Sequence, residues 1–261
     1  MIIPAVPDVA FNIGSVSIYW YGIIMAIAIL IAILTANKLC NILFNKKDLA
    51  VEYAPLIIIF GILGARIYFC MLNPAHYLAH LPEILDIREG GLSIHGALIG
   101  GILALFYMAK KNKISFLSVL DCFGCGTILG QAIGRWGNYF NSEAYGLPTA
   151  NQNWGLYIPQ ARRLAQYSDF SLFHPTLLYE SVLNLLAFII LLFIFKKFAN
   201  KYPGIAFFSY LIIYAIIRFF IEQIRIDSAM NIGAFPIAQI VSVILFLTGL
   251  TGIILCLKTH K

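Results

Sequence analysis

Long, uninterrupted apolar runs separated by short polar connectors make up most of this chain. Seven runs are long enough for a membrane span, at about 18–36, 51–72, 92–109, 116–134, 175–195, 205–222 and 236–257. A helical span needs roughly 20 mostly apolar residues, whereas the strands of a membrane barrel alternate apolar with polar residues. The pattern therefore predicts an all-α polytopic membrane protein with seven transmembrane helices.

The connectors predict how these helices are joined. The segments KKNK (110–113) and KKFANKYPG (196–204) are short, polar and turn-forming, so the helices beside them should be antiparallel neighbours. The segment 135–173 is long for a helix bundle and is expected to form an extracytoplasmic loop region, or head, between helices four and five. We find no internal repeat in the sequence and expect a single transmembrane domain over residues 1–261.

Composition narrows the protein class further. Hydrophobic residues make up 61% of the chain and charged residues 11%, against about 45–50% and about 25% in soluble domains. This composition excludes a soluble globular protein, a disordered protein and a small protein stabilised by disulfide bonds. The formal charge of +6 is interpreted as membrane topology, and no nucleic-acid partner is expected. The CxxC of Cys122 and Cys125 lies in an apolar run without a second pair, so both are interpreted as small hydrophobic residues.

The distribution of Lys and Arg predicts the orientation in the membrane. All eleven lysines fall on one side, at positions 38, 46, 47, 110, 111, 113, 196, 197, 201, 258 and 261. Five arginines fall on the other, at positions 88, 135, 162, 163 and 225. Cytoplasmic loops carry the excess of positive residues, so the amino terminus is expected outside and the carboxy terminus in the cytoplasm. Arginine suits bidentate recognition of phosphate or carboxylate, which suggests an anion on the outer side.

Several ionisable residues fall within or beside the apolar spans. Arg66, Arg218 and Glu222 lie inside spans, where a charge costs roughly 2.5–3.5 kcal/mol on insertion scales. The spacing of 218, 222 and 225 puts three side chains on one helix face, and a purely structural Arg218–Glu222 ion pair is the simpler alternative. Other unusual residues converge on the outer ends of their spans, namely Tyr21, His95, Arg135, His174 and Glu180. This convergence favours a site.

The segment GRWGNYFNSEAYG, residues 134–146, opens the long connector. It could be an interfacial aromatic belt, since Trp and Tyr are enriched at membrane surfaces. A belt does not require Arg135, Asn138, Asn141 and Glu143 together. Their guanidinium, carboxamide and carboxylate groups can hold a phosphate and a hydroxyl-bearing neighbour through hydrogen bonds.

GRWGNYFNSEAYG closely resembles the signature of the bacterial prolipoprotein diacylglyceryl transferases. Five further motifs occur in the family's order: WYG at 20–22, GAR at 64–66, HGALIGG at 95–101, HPTLLYE at 174–180 and RFFIEQIR at 218–225. The departures are mild. Ala97 stands where the family usually has a second glycine, and Tyr139 and Phe140 vary an aromatic and aliphatic pair.

The resemblance implies transfer of the diacylglyceryl group of phosphatidylglycerol to the lipobox cysteine thiol of exported prolipoproteins in the bacterial inner (cytoplasmic) membrane. A thioether forms and glycerol phosphate is released. The residues implied as catalytic are Tyr21, His95, Arg135 and Arg218. The resemblance also implies substrate-binding roles for Arg135, Asn138, Glu143, Gly146 and Glu222. The residues themselves add Arg66 and Asn141 to the expected substrate-binding set. We expect Arg135 and Arg218 on the phosphate, Glu222 orienting Arg218, and His95 as thiol base.

No metal-ligand cluster or nucleotide-binding loop is apparent in the sequence, so neither a metal nor a cofactor is expected. A different class remains open, a seven-helix transporter or receptor for an anionic lipid or a sugar phosphate. Transporters more often show inverted repeats and broken helices at the midplane, which are not apparent here. The clustering of polar residues at the outer ends favours an enzyme.

The charge distribution generates a labelling prediction. In a variant without its native cysteines, a cysteine introduced at position 152 should react with an impermeant maleimide on intact cells, and one at position 112 should react only after the cells are opened. The reverse pattern would overturn the orientation.

Overall fold

A computed structural model describes residues 1–86, 90–151, 153–226, 231–233 and 235–259. Arg88, Gln152 and Lys261, which enter the charge count or the labelling prediction, lie outside the described residues. The described part contains eight α-helices: α1 (Trp20–Phe44), α2 (Leu49–Leu72), α3 (Pro74–Ala79), α4 (Ile94–Asn112), α5 (Phe116–Asn141), α6 (Thr176–Phe198), α7 (Ile205–Glu222) and α8 (Ile237–Lys258).

Short strands lie in the segment before α1 and in some of the connectors between helices. They are β1 (Ile2–Ile3), β2 (Val9–Ile13), β3 (Val16–Tyr19), β4 (Gly155–Tyr157), β5 (Leu172–Phe173), β6 (Asn231–Ile232) and β7 (Phe235–Pro236). Strand β4 pairs in parallel with β1 and antiparallel with β5, while β2–β3 and β6–β7 are antiparallel pairs. Strands of two to five residues give too short a polar–apolar alternation to predict from sequence.

Six of the described helices, α1, α2, α5, α6, α7 and α8, are long and apolar enough to cross a membrane. The chain is a multi-pass helical membrane protein, as the apolar runs predict. The predicted span at 92–109 corresponds to α4, a helix of 19 residues. It is less apolar because it contains His95 and ends with Lys110 and Lys111, so seven spans are not established by length and composition.

The chain divides into two compact units. The first contains Met1–Ala36 and Asp121–Lys261, and the second contains Asn37–Leu120. Most of the residues with an expected site role belong to the first unit. Arg66 and His95 belong to the second.

In the first unit, a buried carboxylate fixes the start of α7. Asp121 of α5 is fully buried and accepts hydrogen bonds from the main-chain N–H groups of Gly204 at 2.7 Å and Phe207 at 2.8 Å. These N–H groups have no partner within the helix, and the positive end of the helix dipole favours an anion there. Asp121 thereby holds the helix that carries Arg218 and Glu222.

The long connector after α5 folds around an apolar core of its own. Tyr145, Leu156, Ile158, Phe173 and Leu177 are buried together. The hydroxyl of Tyr145 donates to the carbonyl of Arg162 at 2.9 Å. This packing orders the segment beside GRWGNYFNSEAYG, so the site residues are carried on a folded support.

In the second unit, α2 and α4 pack closely through glycines. A Cβ on Gly100 would overlap the carbonyl oxygen of Phe60, and one on Gly96 would overlap that of Gly64. By contrast, a Cβ on the neighbouring Gly101 would meet open space. Small residues at such contacts let two helix backbones approach in a membrane.

The adjacent glycines give a matched test of this contact. Gly100→Ala should destabilise the protein by about 1–3 kcal/mol because α2 and α4 must move apart. Gly101→Ala should be neutral or stabilising by up to about 1 kcal/mol, since alanine favours helix. Thermal unfolding in detergent measures both, and equal effects of the two substitutions would contradict the packing described.

Candidate active site

Four helix ends of the first unit meet and bring polar side chains together. Tyr21 lies at the start of α1 and Glu180 in the second turn of α6, while Arg135 and Arg218 lie near the ends of α5 and α7. The ring of Tyr21 packs on Gly137 of α5, where an added Cβ would stand 3.0 Å from a ring carbon. Of the residues expected at one end of the spans, Tyr21, Arg135 and Glu180 therefore lie in this unit together with Arg218, whereas His95 belongs to the second unit.

The carboxylate of Glu180 is the centre of the cluster. It is buried, with 1% of the residue exposed. One oxygen, Oε2, forms an ion pair with Nη2 of Arg135. The other, Oε1, lies 3.5 Å from Nη1 of Arg218 and 3.5 Å from Nη1 of Arg225. A buried charge is tolerated only when it is paired, and here one carboxylate holds three guanidinium groups in place.

Arg218 is held from a second direction. Its Nη2 lies 2.6 Å from Oε2 of Glu222, four residues later on α7, and Glu222 is itself buried. The Arg218–Glu222 pair anticipated from the i, i+4 spacing is thus present. It is not an isolated structural pair, because the same guanidinium also reaches Glu180.

A chain of amide groups connects Arg135 to the following loop. Nη1 of Arg135 donates to Oδ1 of Asn138 at 3.4 Å. Asn138 donates in turn to Oε1 of Glu143 at 2.8 Å, and Asn141 donates to the same oxygen at 3.3 Å. Ser142 adopts a left-handed backbone with φ 52°, a conformation that costs a non-glycine residue free energy. Arg135, Asn138, Asn141 and Glu143 therefore form one hydrogen-bonded network.

Gly146 lies where three main-chain segments cross. Its N–H donates to the carbonyl of His174 at 2.8 Å, and the next N–H, of Leu147, donates to that of Ile224 at 2.8 Å. A Cβ on Gly146 would stand 2.8 Å from the Ile224 oxygen and 2.8 Å from a methyl carbon of Thr176. Glycine is required by this close approach, which also locates the main chain of Arg225.

Arg66, in the second unit, is occupied by main-chain carbonyls. Its Nε donates to Ile84 at 2.8 Å, and its Nη1 donates to Gly90 at 3.2 Å and Gly91 at 3.0 Å. Its Nη2 donates to the carbonyl of Glu83. Only 8% of the residue is exposed. These contacts give Arg66 a role in ordering the α2–α4 connector that the sequence did not indicate.

His95, also in the second unit, is the second residue of α4. Its ring is exposed and lies 5.8 Å from that of Tyr68, centroid to centroid. The following Gly96 packs against α2, so the main chain at His95 is firmly placed while its imidazole remains accessible.

Sequence reasoning did not assign a role to Glu180 or Arg225. Both carried a usable signal, since an ionisable residue beside a span is expensive unless it is paired. The position of Glu180 at the centre of the cluster depends on how α5, α6 and α7 pack, and no local spacing encodes it.

Substitution of the central carboxylate tests its structural importance. Glu180→Gln keeps the size of the side chain but leaves three guanidiniums without their common counter-charge. We expect a loss of about 3–5 kcal/mol in stability, the usual effect of breaking a buried pair, seen as a lower unfolding midpoint in detergent. Asp169→Asn removes an exposed carboxylate of the same unit and should leave the midpoint unchanged. Parent-like stability of Glu180→Gln would contradict the central position.

Comparison with known proteins identifies the family. The family model described as prolipoprotein diacylglyceryl transferase matches residues 8–255. The chain is similar to the phosphatidylglycerol–prolipoprotein diacylglyceryl transferase of Acaryochloris marina, 42% identical over 243 residues, covering 93% of this chain and 88% of that protein. The proteins of the same name from Parasynechococcus marenigrum and Thermosynechococcus vestitus are 40% and 37% identical, over 94% and 95% of this chain and 92% and 91% of theirs. The chain belongs to the prolipoprotein diacylglyceryl transferase family.

Proposed function

We propose that this protein transfers the diacylglyceryl group of phosphatidylglycerol to the lipobox cysteine thiol of exported prolipoproteins. Family membership supports the reaction, and the names of its relatives contain both substrates. The observation that carries the proposal is the arginine cluster on buried Glu180. It provides a fixed set of guanidiniums for an anionic lipid headgroup within a strongly apolar chain.

The charges of the cluster suit a phosphate. Arg135, Arg218 and Arg225 carry three positive charges against the two carboxylates of Glu180 and Glu222, which leaves a net +1. The described contacts of Arg135 and Arg218 with protein groups use only part of their N–H groups. We assign these two arginines to the phosphate, with Glu222 and Glu180 as positioning residues.

The reaction is a displacement at a saturated carbon. The C–S bond forms as the C–O bond to the phosphate breaks, the phosphate oxygen keeps the electron pair, and the thiol proton passes to a base. A thiol of pKa about 8.5 is a few per cent ionised at neutral pH, so complete deprotonation contributes at most about 2 kcal/mol. Loss of one preorganised donor at a developing anion typically costs about 2.7–4 kcal/mol. Stabilisation of the leaving phosphate is therefore the larger effect.

The remaining site residues are assigned to the glycerol part of the headgroup and to catalysis. Asn138, Asn141 and Glu143 offer amide and carboxylate groups for the glycerol hydroxyls of the headgroup, and Gly146 fixes the main chain beside them. Tyr21 and His95 keep their predicted catalytic roles, with His95 as thiol base.

The substrate-binding role of Arg66 remains a prediction, and its four donations to main-chain carbonyls argue against it.

The membrane arrangement completes the proposal. We infer seven spans, with α4 as the third, in the bacterial inner membrane. The amino terminus is outside, the carboxy terminus is in the cytoplasm, and residues 135–173 form an extracytoplasmic part of a single transmembrane domain. The distribution of Lys and Arg supports this orientation. The arginine cluster then lies toward the outer leaflet, where exported precursors present their cysteine.

The activity is tested directly with purified protein, phosphatidylglycerol and a lipobox peptide. We expect a peptide product heavier by one diacylglyceryl group, together with released glycerol phosphate, and no product from a peptide with serine in place of the cysteine. Binding of phosphatidylglycerol without a covalent product would favour the transporter or receptor alternative.

Replacing Arg135 with lysine tests bidentate contact with the phosphate. Arg135→Lys keeps the charge but loses the planar fork that can contact two phosphate oxygens. We expect at least a tenfold lower rate, since each tenfold in rate corresponds to about 1.36 kcal/mol in the barrier. The measurement is the initial rate on the lipobox peptide, with folding verified by the unfolding midpoint. Activity within about threefold of the parent would contradict a bidentate role.

A pH profile tests His95 as thiol base. His95→Gln keeps hydrogen bonding but cannot accept the proton, so its deficit should shrink as pH rises toward the thiol pKa. The recoverable part is limited to about 2 kcal/mol, or roughly thirtyfold. Rates of parent and variant between about pH 6.5 and 9 give the profile. A deficit that stays constant with pH would leave His95 as an orienting residue, with Tyr21 or the substrate phosphate as the next candidate base.

A further inference from the structure

The connector between α2 and α4 brings two histidines and a glutamate together. His76 lies in α3, and His80 follows one turn later at the end of that helix. The 3-10 turn Leu81–Leu85 then folds the chain back, so that Oε2 of Glu83 lies 2.8 Å from Nε2 of His76. The two imidazole centroids are 4.8 Å apart at an angle of 27°. One possible ligand atom from each residue lies within 4.8 Å of the others.

A main-chain hydrogen bond prepares His80 for ligation. Its Nδ1 lies 3.1 Å from the carbonyl oxygen of His76, so Nδ1–H is the donor and Nε2 carries the free lone pair. Metal-bound histidines commonly donate their second ring nitrogen to a carbonyl or carboxylate in this way. Side chains of His76 and Glu83 are about half exposed, at 52% and 51%, so an ion can reach the cluster.

We propose that His76, His80 and Glu83 form a binding site for Zn²⁺. Two imidazole nitrogens and one carboxylate oxygen are a ligand set that zinc accepts, with water in the fourth position. Tetrahedral ligands about 2.0–2.2 Å from the ion stand about 3.3 Å apart, a separation that half-exposed side chains reach by small rotations. The sequence predicted no metal cluster because Glu83 approaches the histidines only through the turn.

The ion would stabilise a short, exposed element. Helix α3 has six residues, too few to be stable alone in water. Its partner Glu83 is tied to α2, because the carbonyl of Glu83 accepts a hydrogen bond from Arg66. Zinc would therefore link α3 to a turn that α2 already holds. Arg66 and Asp86 also line the cavity of about 250 Å³ beside the cluster. The positive charge of Arg66 opposes cation binding, whereas the negative charge of the Asp86 carboxylate favours it.

Zinc titration of the full-length chain tests this site. The protein, purified in neutral detergent without a histidine tag and treated with a chelator, is titrated with zinc chloride in a calorimeter. We expect one zinc per chain, with no competition from a large excess of Mg²⁺. His76→Gln and His80→Gln should each weaken binding at least tenfold, whereas Glu52→Gln, which removes an exposed carboxylate elsewhere in the same unit, should not.

Amide hydrogen exchange is measured first in the parent protein, so this part of the test does not depend on whether the variants fold. Zinc should slow the exchange of residues 74–86 in the parent and should leave the exchange rates of both histidine variants unchanged. Zinc affinity within threefold of the parent in both histidine variants, or equal competition by Mg²⁺, would overturn the proposal. So would unchanged exchange in the parent at saturating zinc.

Discussion

The arrangement of the first unit depends on one buried carboxylate. Glu180 contacts three arginines from α5, α7 and the segment after α7. In an apolar interior each of these charges would be costly alone, so the helices are stable together only when the four groups meet. The same requirement leaves the guanidinium groups pre-positioned for an anion. Under the proposed function, structural pairing and phosphate binding thus depend on the same contacts.

The surroundings of the cluster limit its freedom further. Asp121 caps α7 at the far end of the helix from Arg218, and Gly146 lets the loop main chain cross beside Ile224. A leaving phosphate is stabilised best by donors that do not reorganise during the reaction. Rigid placement of Arg135 and Arg218 therefore matters more for the proposed chemistry than the identity of the thiol base.

Sequence reasoning predicted the features that rest on local pattern. The apolar runs predict the six long apolar helices among the described residues, and the i, i+4 spacing predicts the Arg218–Glu222 pair. It did not predict the strands β1, β4 and β5, whose pairing joins residues far apart in sequence. For the same reason it missed the central position of Glu180 and the carbonyl contacts of Arg66. The sequence shows which ionisable residues lie within or beside apolar spans and therefore need a partner. Tertiary packing determines which partner each of them finds.

An experimental structure with phosphatidylglycerol bound tests the central claim most directly. The account predicts that the lipid phosphate lies against the cluster, with phosphate oxygens about 2.7–2.9 Å from guanidinium nitrogens of both Arg135 and Arg218, while Glu180 keeps its contact with Arg135. A headgroup bound with its phosphate away from both arginines, for instance in the cavity beside Arg66, would contradict it.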